Sequence, residues 1–224
     1  MLLSIPNVLK PDELQLVRAW LADAPFVDGR LSAGAAARRV KSNQEVAQGA
    51  PDLERLNRLV MGNLVRHPVY RAGALPLHAA SPSYARYQPG MTYGDHLDDP
   101  IMGTEGLRYR SDIAVTVFLN EPAEYEGGEL VIRTAGGDTA IKSAAGDAVL
   151  YPASSVHQVS PVTRGERLVA VTWLQSLVRD PAKRELLFGL NAARERLLQS
   201  APDAPETVQV NAAYMNLIRM WSDI

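Results

Sequence analysis

Residues 84–98 read Tyr-Ala-Arg-Tyr-Gln-Pro-Gly-Met-Thr-Tyr-Gly-Asp-His-Leu-Asp, two extended runs joined by a Pro-Gly turn. Side chains alternate between the two faces of an extended segment, so His96 and Asp98 project to the same side. Both can therefore reach one cation. A third ligand must come from a distant part of the chain, and His157 lies where an apolar run ends in a short polar loop and then resumes. The stretch thus predicts a metal site built between strands.

Two imidazoles and one carboxylate on one face of an octahedral ion leave coordination positions open, the arrangement that suits non-haem Fe(II). Arg167 strengthens this interpretation, because it stands at the start of a strongly apolar run that we expect to be a buried strand. A guanidinium there needs an anion, and its fork of donors fits a carboxylate. The partner is either a bound small molecule or an Asp or Glu of the chain itself.

Between Tyr84 and Leu177 the sequence consists of short runs rich in Val, Ile, Leu and Thr, separated by turn signals. The turns lie at Pro89-Gly90, Gly127-Gly128, Gly136-Gly137 and Gly146-Asp147. This pattern predicts an antiparallel double sheet of the jelly-roll type. The fold class is therefore α+β with a mainly β core.

The chain resembles a known family at these positions. Residues 84–177 are similar to the catalytic core of the Fe(II)/2-oxoglutarate-dependent dioxygenases of the prolyl 4-hydroxylase superfamily, and the whole length resembles the bacterial PKHD-type hydroxylases. The motifs that carry the resemblance are Tyr84-Ala85-Arg86-Tyr87, Pro89-Gly90, His96-x-Asp98, Val117 to Asn120, Tyr125 to Leu130, Gly146-Asp147, His157 and Arg167 to Trp173. The resemblance implies a cupin-like double-stranded β-helix.

The resemblance also implies roles for single residues. The implied ligands of Fe(II) are His96, Asp98 and His157. Arg167 is implied to bind the distal carboxylate of 2-oxoglutarate, and Tyr87 matches a tyrosine that hydrogen-bonds this co-substrate in relatives.

One position departs from the family pattern. Relatives often carry a further tyrosine on the strand after the HxD motif, whereas residues 113–118, Ile-Ala-Val-Thr-Val-Phe, have none. We expect Thr116 to contact the co-substrate instead.

The implied activity is hydroxylation of a substrate that the sequence does not identify. 2-Oxoglutarate would be decarboxylated to succinate and CO2 with consumption of O2, and L-ascorbate, which relatives use to keep iron reduced, is an expectation from the resemblance. No catalytic side chain is expected beyond the metal centre. Asp95 and Asp99 flank the ligands, either orienting them or standing exposed at the strand end. A peptidyl proline, a free amino acid and an iron-chelating metabolite fit equally well as substrates.

Two other function classes use the same ligands. A zinc hydrolase is compatible with imidazole and carboxylate ligands but leaves Arg167 without a task. A non-enzymatic barrel that binds a metal or small molecule is also compatible, because a fold does not dictate a function.

Helical patterns precede and follow the β region. Pro11 begins a helix with Leu14, Val17, Trp20 and Leu21 on its apolar face, and a second helix spans residues 52–66 and is stopped by Pro68. We expect both to buttress one face of the sheet, within a dioxygenase domain of residues 1–178. Residues 40–44 are expected to form a strand that borders the site.

Residues 179–224 form a separate helical module, in which two amphipathic helices are joined by a Pro-containing turn. Its apolar residues Leu186, Leu190, Leu197, Met215, Ile218 and Trp221 have to be covered. The module either packs against the helices at 11–23 and 52–66 or also forms a homodimer contact.

Composition narrows the class further. The 224 residues carry a net charge of -2 and no cysteine, and 46% are hydrophobic. These values argue against a dedicated nucleic-acid or membrane binder and against a disulfide scaffold or thiolate metal site. The basic cluster of Arg38, Arg39 and Lys41 is expected to be solvated. The first ten residues lack signal-peptide features, so we expect a cytoplasmic enzyme.

Overall fold

The computed structural model describes residues 1–134 and 136–223 and shows an α+β fold with a β core. The strands are β1 (Leu3–Ile5), β2 (Phe26–Asp28), β3 (Lys41–Ser42), β4 (Gln44–Val46), β5 (Pro76–Ala79), β6 (Ser83–Tyr87), β7 (Thr92–His96), β8 (Ile101–Met102), β9 (Tyr109–Arg110), β10 (Ile113–Phe118), β11 (Tyr125–Gly127), β12 (Leu130–Thr134), β13 (Gly137–Ile141), β14 (Ala148–Pro152), β15 (His157–Val159), β16 (Val162–Gly165) and β17 (Arg167–Ser176). The helices are α1 (Pro11–Ala22), α2 (Leu53–Arg66), α3 (Pro68–Ala74), α4 (Pro181–Ser200) and α5 (Pro205–Trp221).

The strands form two main antiparallel sheets. The major sheet runs in the order β1-β14-β10-β17-β6-β4-β2, with β5 paired to the far part of β17. The minor sheet runs in the order β13-β12-β15-β7-β3. Strands that are neighbours in space are often distant in sequence, as expected for a jelly roll. The predicted fold class is confirmed.

Successive side chains of strand β10 point to opposite faces of the major sheet. All six of its residues are buried, because both faces of the strand are covered. Ile113, Val115 and Val117 pack in the core on the helix side, whereas Ala114 and Phe118 face the core between the two sheets. The same alternation on β17 directs Leu168 and Ala170 to the helices and Val169 to the inside. Arg167 lies two residues before Val169 on the same strand, so its side chain also points between the sheets.

Helices α1 and α2 support the outer face of the major sheet, as expected. Val17 and Leu21 of α1, and Leu56, Val60 and Leu64 of α2, belong to the same buried cluster as the outward residues of β10. Pro68 has a second role beside ending α2. It occupies the first turn of the short helix α3, which the sequence pattern missed, and the His67 side chain accepts a hydrogen bond from the Val69 amide to cap it.

The C-terminal helices pack against each other, and α4 docks on α3. The expectation that they would pack on the helices at 11–23 and 52–66 missed this partner, because α3 had not been predicted. Buried Arg184 fixes the base of α4 by donating to the carbonyls of Val178 and Arg179, both at 2.7 Å. Ile224, the last residue of the predicted module, lies outside the described residues. None of the described helices has the length and apolar content to cross a membrane.

Candidate metal and co-substrate site

His96 and His157 meet across two neighbouring strands of the minor sheet. His96 ends β7 and His157 begins β15, and the antiparallel pairing places them directly opposite each other. Their ring centroids are 4.2 Å apart. Asp98 lies two residues beyond the end of β7, with Oδ1 3.9 Å from Nε2 of His157. One ligand atom from each of the three residues lies within 4.8 Å of the other two, a spacing that fits a single metal ion.

Backbone carbonyls fix the orientation of both imidazoles. Nδ1 of His96 donates to the Gly94 carbonyl at 2.8 Å, and Nδ1 of His157 donates to the Ser155 carbonyl at 2.9 Å. Each ring therefore carries its proton on Nδ1, which leaves Nε2 free as a metal ligand. Burial lowers the pKa of His96 to about 4, and the neighbouring His157 acts in the same direction. Burial raises the pKa of Asp98. The charged form of the Asp98 carboxylate is therefore costly unless a cation lies between it and the two histidines.

Tyr93 and Lys41 support His96 from behind. The Tyr93 ring stacks on His96 with a centroid distance of 3.5 Å and an interplanar angle of 9°. Lys41 Nζ lies 5.1 Å from the Tyr93 ring centroid and donates to Glu45 Oε1 at 2.5 Å. The expectation that Lys41 is solvated is wrong, because this ion pair and Tyr93 enclose its ammonium group. Residues Arg38 and Arg39 are exposed, as expected.

The predicted strand at residues 40–44 is present in two pieces that border the site. β3 pairs with β7 and β4 pairs with β6, so both attach to strands that carry site residues. Two arrangements were expected for the flanking carboxylates of Asp95 and Asp99: orienting the ligands, or standing exposed at the strand end. The structure shows the exposed arrangement. Asp95 is exposed and pairs with Arg133 at 3.0 Å, and Asp99 is exposed as well. The ligands are thus oriented by backbone carbonyls rather than by these two carboxylates.

Arg167 is a buried cation with unused donors. Its side chain is 1% exposed, and Nε and Nη1 have no hydrogen-bond partner among the described residues. The guanidinium carbon lies 5.0 Å from the ring centroid of Tyr87 and 5.9 Å from that of Phe118. The alternative of an ion pair within the chain therefore finds no partner for these two nitrogens. A buried charge of this kind is costly unless an anion reaches it.

A single cavity of about 510 Å³ joins the three ligand residues to Arg167, Tyr87 and Thr116. Four more buried polar atoms of its lining residues lack a partner in the described part of the chain, namely Oδ1 of Asn43, Oδ1 of Asn57, Oδ2 of Asp98 and Nε1 of Trp173. Buried polar groups are normally hydrogen-bonded, so orphans concentrated in one cavity mark a place built for a polar ligand. A metal ion at the triad would satisfy Asp98, and a carboxylate at Arg167 would satisfy the guanidinium nitrogens.

The two halves of the site belong to different sheets. The residues of the metal cluster lie on or next to β7 and β15 of the minor sheet. Arg167, Tyr87 and Thr116 lie on β17, β6 and β10 of the major sheet, where Arg167 is opposite Tyr87 in the strand pairing. The cavity is the space between the two layers.

Four aromatic residues of the cavity were not predicted as part of the site: Tyr93, Tyr109, Tyr151 and Trp173. Trp173 lies six residues after Arg167 on β17, and an even spacing places both side chains on the same face of a strand. The spacing in the sequence could therefore have identified Trp173. Tyr93 lies three residues before His96 on the same strand. Tyr151 lies on β14, and only the strand order reveals that it faces the site.

Comparison with known proteins agrees with this geometry. The pattern of the 2OG-Fe(II) oxygenase superfamily matches residues 82–175, and that of the PKHD-type hydroxylase C-terminal domain matches residues 181–223. A PKHD-type hydroxylase of Thioalkalivibrio sulfidiphilus is 53% identical over 224 residues, which is all of both chains. The chain belongs to the PKHD-type hydroxylases. A second member, from Hyphomonas neptunium, is 45% identical over the full length of both chains.

Solved structures support the fold of this PKHD-type hydroxylase. A prolyl-4-hydroxylase of Pseudomonas putida is similar with a TM-score of 0.53 and 19% identity, covering 78% of this chain and 92% of its own. A prolyl hydroxylase of Trichoplax adhaerens, solved with a peptide fragment of hypoxia inducible factor, has a TM-score of 0.56 and 18% identity and covers 83% and 86%. At these identities the likeness concerns the fold alone.

Family membership decides between the function classes that the sequence left open. The protein is an Fe(II)- and 2-oxoglutarate-dependent oxygenase, and 2-oxoglutarate and O2 are its co-substrates. The zinc hydrolase and the non-enzymatic barrel are set aside.

Proposed function

We propose that the triad of His96, Asp98 and His157 holds the Fe(II) and that Arg167 binds the distal carboxylate of 2-oxoglutarate. The observation that carries this proposal is the presence of both features in one cavity. The cluster supplies two imidazoles and a carboxylate, and Arg167 supplies a buried cation whose Nε and Nη1 have no partner in the described chain. The residues therefore fit both the metal and the co-substrate.

Tyr87 and Thr116 are proposed as further contacts of the co-substrate. Both are buried, and both line the cavity from strands next to β17. Burial raises the pKa of Tyr87 to about 12, although the nearby Arg167 charge opposes this effect. The Tyr87 hydroxyl thus stays protonated and is able to donate a hydrogen bond to a carboxylate.

When bound, the iron would supply the oxidising chemistry by which O2 and 2-oxoglutarate hydroxylate a C–H bond: one oxygen atom enters the product and the other enters succinate, with release of CO2. The protein supplies placement. Arg167 fixes the far end of the co-substrate through a charge-assisted pair, and the triad holds the near end at one face of the metal. The packed aromatic and aliphatic residues of both sheets limit the access of water.

The primary substrate enters the same cavity. The polar side chains of Ser32, Gln48, Ser81 and Ser83 also line it. Leu97 and Ile101 are further lining residues and are 52% and 57% exposed. A peptidyl proline, a free amino acid and an iron-chelating metabolite remain the candidate classes.

Metal content and co-substrate turnover test the assignment. We expect anaerobically purified protein to bind one Fe(II) and His157→Ala to lose both the metal and the formation of succinate from 2-oxoglutarate. The matched control is His78→Ala, because His78 is an exposed histidine outside the cavity. Retention of one Fe(II) in His157→Ala, with unchanged affinity, would contradict the assignment.

Further expectations concern the whole protein. We propose that residues 1–178 form the dioxygenase domain and residues 179–224 a helical module that also mediates a homodimer. Leu186, Val208, Met215 and Met220 of this module are exposed apolar residues, which supports a contact between copies. A cytoplasmic location and a requirement for L-ascorbate stay proposals that rest on composition and on the family resemblance.

A further inference from the structure

The inner face of β10 offers one hydroxyl group, that of Thr116, and no tyrosine. Its other inward residues, Ala114 and Phe118, face the interior between the sheets, and the Phe118 ring centroid lies 5.9 Å from the Arg167 guanidinium carbon. A phenyl ring at this place fills space but donates no hydrogen bond. Donors to a carboxylate at Arg167 beyond Thr116 therefore have to come from other strands.

Strand β14 lies next to β10 and brings Tyr151 to this region. Tyr151 is directly opposite Ala114 in the antiparallel pairing, and both residues belong to the cluster between the sheets. Leu150, one residue earlier, faces the helices instead. Strand parity therefore forces the Tyr151 side chain into the space between the layers.

Inside that space Tyr151 borders both halves of the site. Its ring meets the His157 ring edge-on with a centroid distance of 5.1 Å, and it lines the same cavity as Arg167 and Thr116. The residue is 2% exposed, so any partner of its hydroxyl is a protein group or a ligand of the cavity.

The Tyr151 hydroxyl is a donor at all physiological pH values. A phenol has an ordinary pKa of about 10, so its hydroxyl carries a proton in this range. A carboxylate accepts several hydrogen bonds, so the Arg167 fork leaves acceptor positions for a phenol.

We propose that Tyr151 donates a hydrogen bond to the distal carboxylate of 2-oxoglutarate, beside Arg167, and so replaces the tyrosine that β10 lacks. This inference rests on the proposed co-substrate site. Tyr151 is then a binding residue, and Thr116 on the adjacent strand is its neighbour in the same contact. The polar half of the site is then built from four adjacent strands, β14, β10, β17 and β6.

Two ligands that differ only in the distal carboxylate separate this role from a structural one. We would titrate the Fe(II)-loaded protein anaerobically in a calorimeter with 2-oxoglutarate and with 2-oxobutyrate, which shares the 2-oxo acid end and lacks the far carboxylate. Tyr151→Phe keeps the ring and removes only the hydroxyl. A hydrogen bond to a charged group contributes enough that we expect about tenfold or greater weakening for 2-oxoglutarate and no change for 2-oxobutyrate.

Tyr84→Phe is the matched control, because the Tyr84 hydroxyl is also buried but lies in the core on the helix side. It should leave both affinities unchanged. Equal affinity of the wild type and Tyr151→Phe for 2-oxoglutarate overturns the inference, as does an equal loss for both ligands, which would place the contact at the metal end. Absence of 2-oxoglutarate binding in the wild type would overturn the proposed function itself.

Discussion

His157 lies directly opposite His96 in the pairing of β15 with β7, and each Nδ1 atom donates to the backbone carbonyl two residues earlier in the chain. The backbone therefore orients both rings before any metal arrives. Preorganised ligands of this kind do not depend on the metal for their position. Substitution at one ligand should remove the metal while leaving the sheet intact.

Arg167→Ala should weaken 2-oxoglutarate binding and spare iron binding. Loss of one partner of a buried, charge-assisted pair typically costs about 2 to 5 kcal/mol, which corresponds to a factor of tens to thousands in the dissociation constant. Calorimetric titration of the Fe(II)-loaded variant measures the change. Arg164→Ala is the control, since Arg164 is an exposed residue paired with Glu126 at 2.9 Å. If Arg167→Ala bound 2-oxoglutarate like the wild type, the assignment of the carboxylate site would be wrong.

Gly128→Ala should also weaken 2-oxoglutarate binding, although residue 128 lies outside the cavity lining. A Cβ at Gly128 would lie 3.0 Å from Cδ of Arg167, 3.0 Å from Cγ2 of Val162 and 3.1 Å from Cε2 of Tyr125, so these neighbours, the arginine among them, have to give by a few tenths of an ångström. Gly128 also has a φ of +67°, which an alanine adopts only at a cost. We expect a loss of affinity of about tenfold, in line with the sensitivity of binding to a displaced charged donor.

Gly90→Ala separates the two effects of that substitution. Gly90 has a φ of +88°, but a Cβ there would meet no atom within 4 Å. It should lower the unfolding temperature and leave the affinity for 2-oxoglutarate unchanged. If Gly128→Ala and Gly90→Ala bound 2-oxoglutarate with similar affinity, the substitution at Gly128 would not displace Arg167.

Metal-free protein should lose stability as the pH falls from about 6.5 to about 4, and His96 should account for part of the loss. The folded state holds the pKa of His96 at about 4, below its ordinary value of 6.5. Over this range His96 binds a proton in the unfolded chain but not in the folded protein. The free energy of unfolding therefore falls as the pH falls, by at most about 3 kcal/mol.

Urea unfolding in the presence of a chelator, at several pH values, measures this contribution. His96→Gln has no titrating ring and should lose less stability over the same range. The raised pKa of Asp98 acts in the opposite sense in both proteins, because its folded form gains a proton earlier than the unfolded chain. Identical pH profiles for wild type and His96→Gln would contradict the burial effect on His96.

The proposed homodimer should dissociate when a charge is placed on the C-terminal module. Leu186 is 65% exposed on α4, and Leu186→Glu would bury a carboxylate in an apolar contact. Light scattering at micromolar concentration should show a wild-type dimer and a monomeric variant of unchanged turnover. Glu185→Gln, at an exposed neighbouring position, should remain dimeric. A monomeric wild type rules out the dimer.

Local sequence predicted the parts of the site that depend on strand spacing and on the family motif. His96 and Asp98 project together because of their two-residue separation, and Arg167 was recognised as a charge at the start of an apolar strand. Tyr151 was missed because its direction depends on which strand lies beside β10, and this is a property of the topology. Lys41 was misjudged because its burial comes from Glu45 and Tyr93, which no local pattern identifies.

The helices show the same limit. Patterns of apolar residues predicted α1, α2, α4 and α5 near their observed bounds. Pro68 fits both the end of one helix and the first turn of the next, so sequence alone predicted a stop and missed α3. The docking of α4 on α3 could not be predicted without that helix. The apolar periodicity of the sequence therefore did not reveal α3 or the position of α4, which depend on tertiary contacts.

The division of the proposed site between two sheets would give its ligands a mechanical role. A metal held by the minor sheet and a co-substrate held at Arg167 of the major sheet would together link the two layers. If each ligand restrains the separation of the layers, each one favours the binding of the other by an equal free energy. Succinate is one carbon shorter than 2-oxoglutarate, so its formation and release would remove this link.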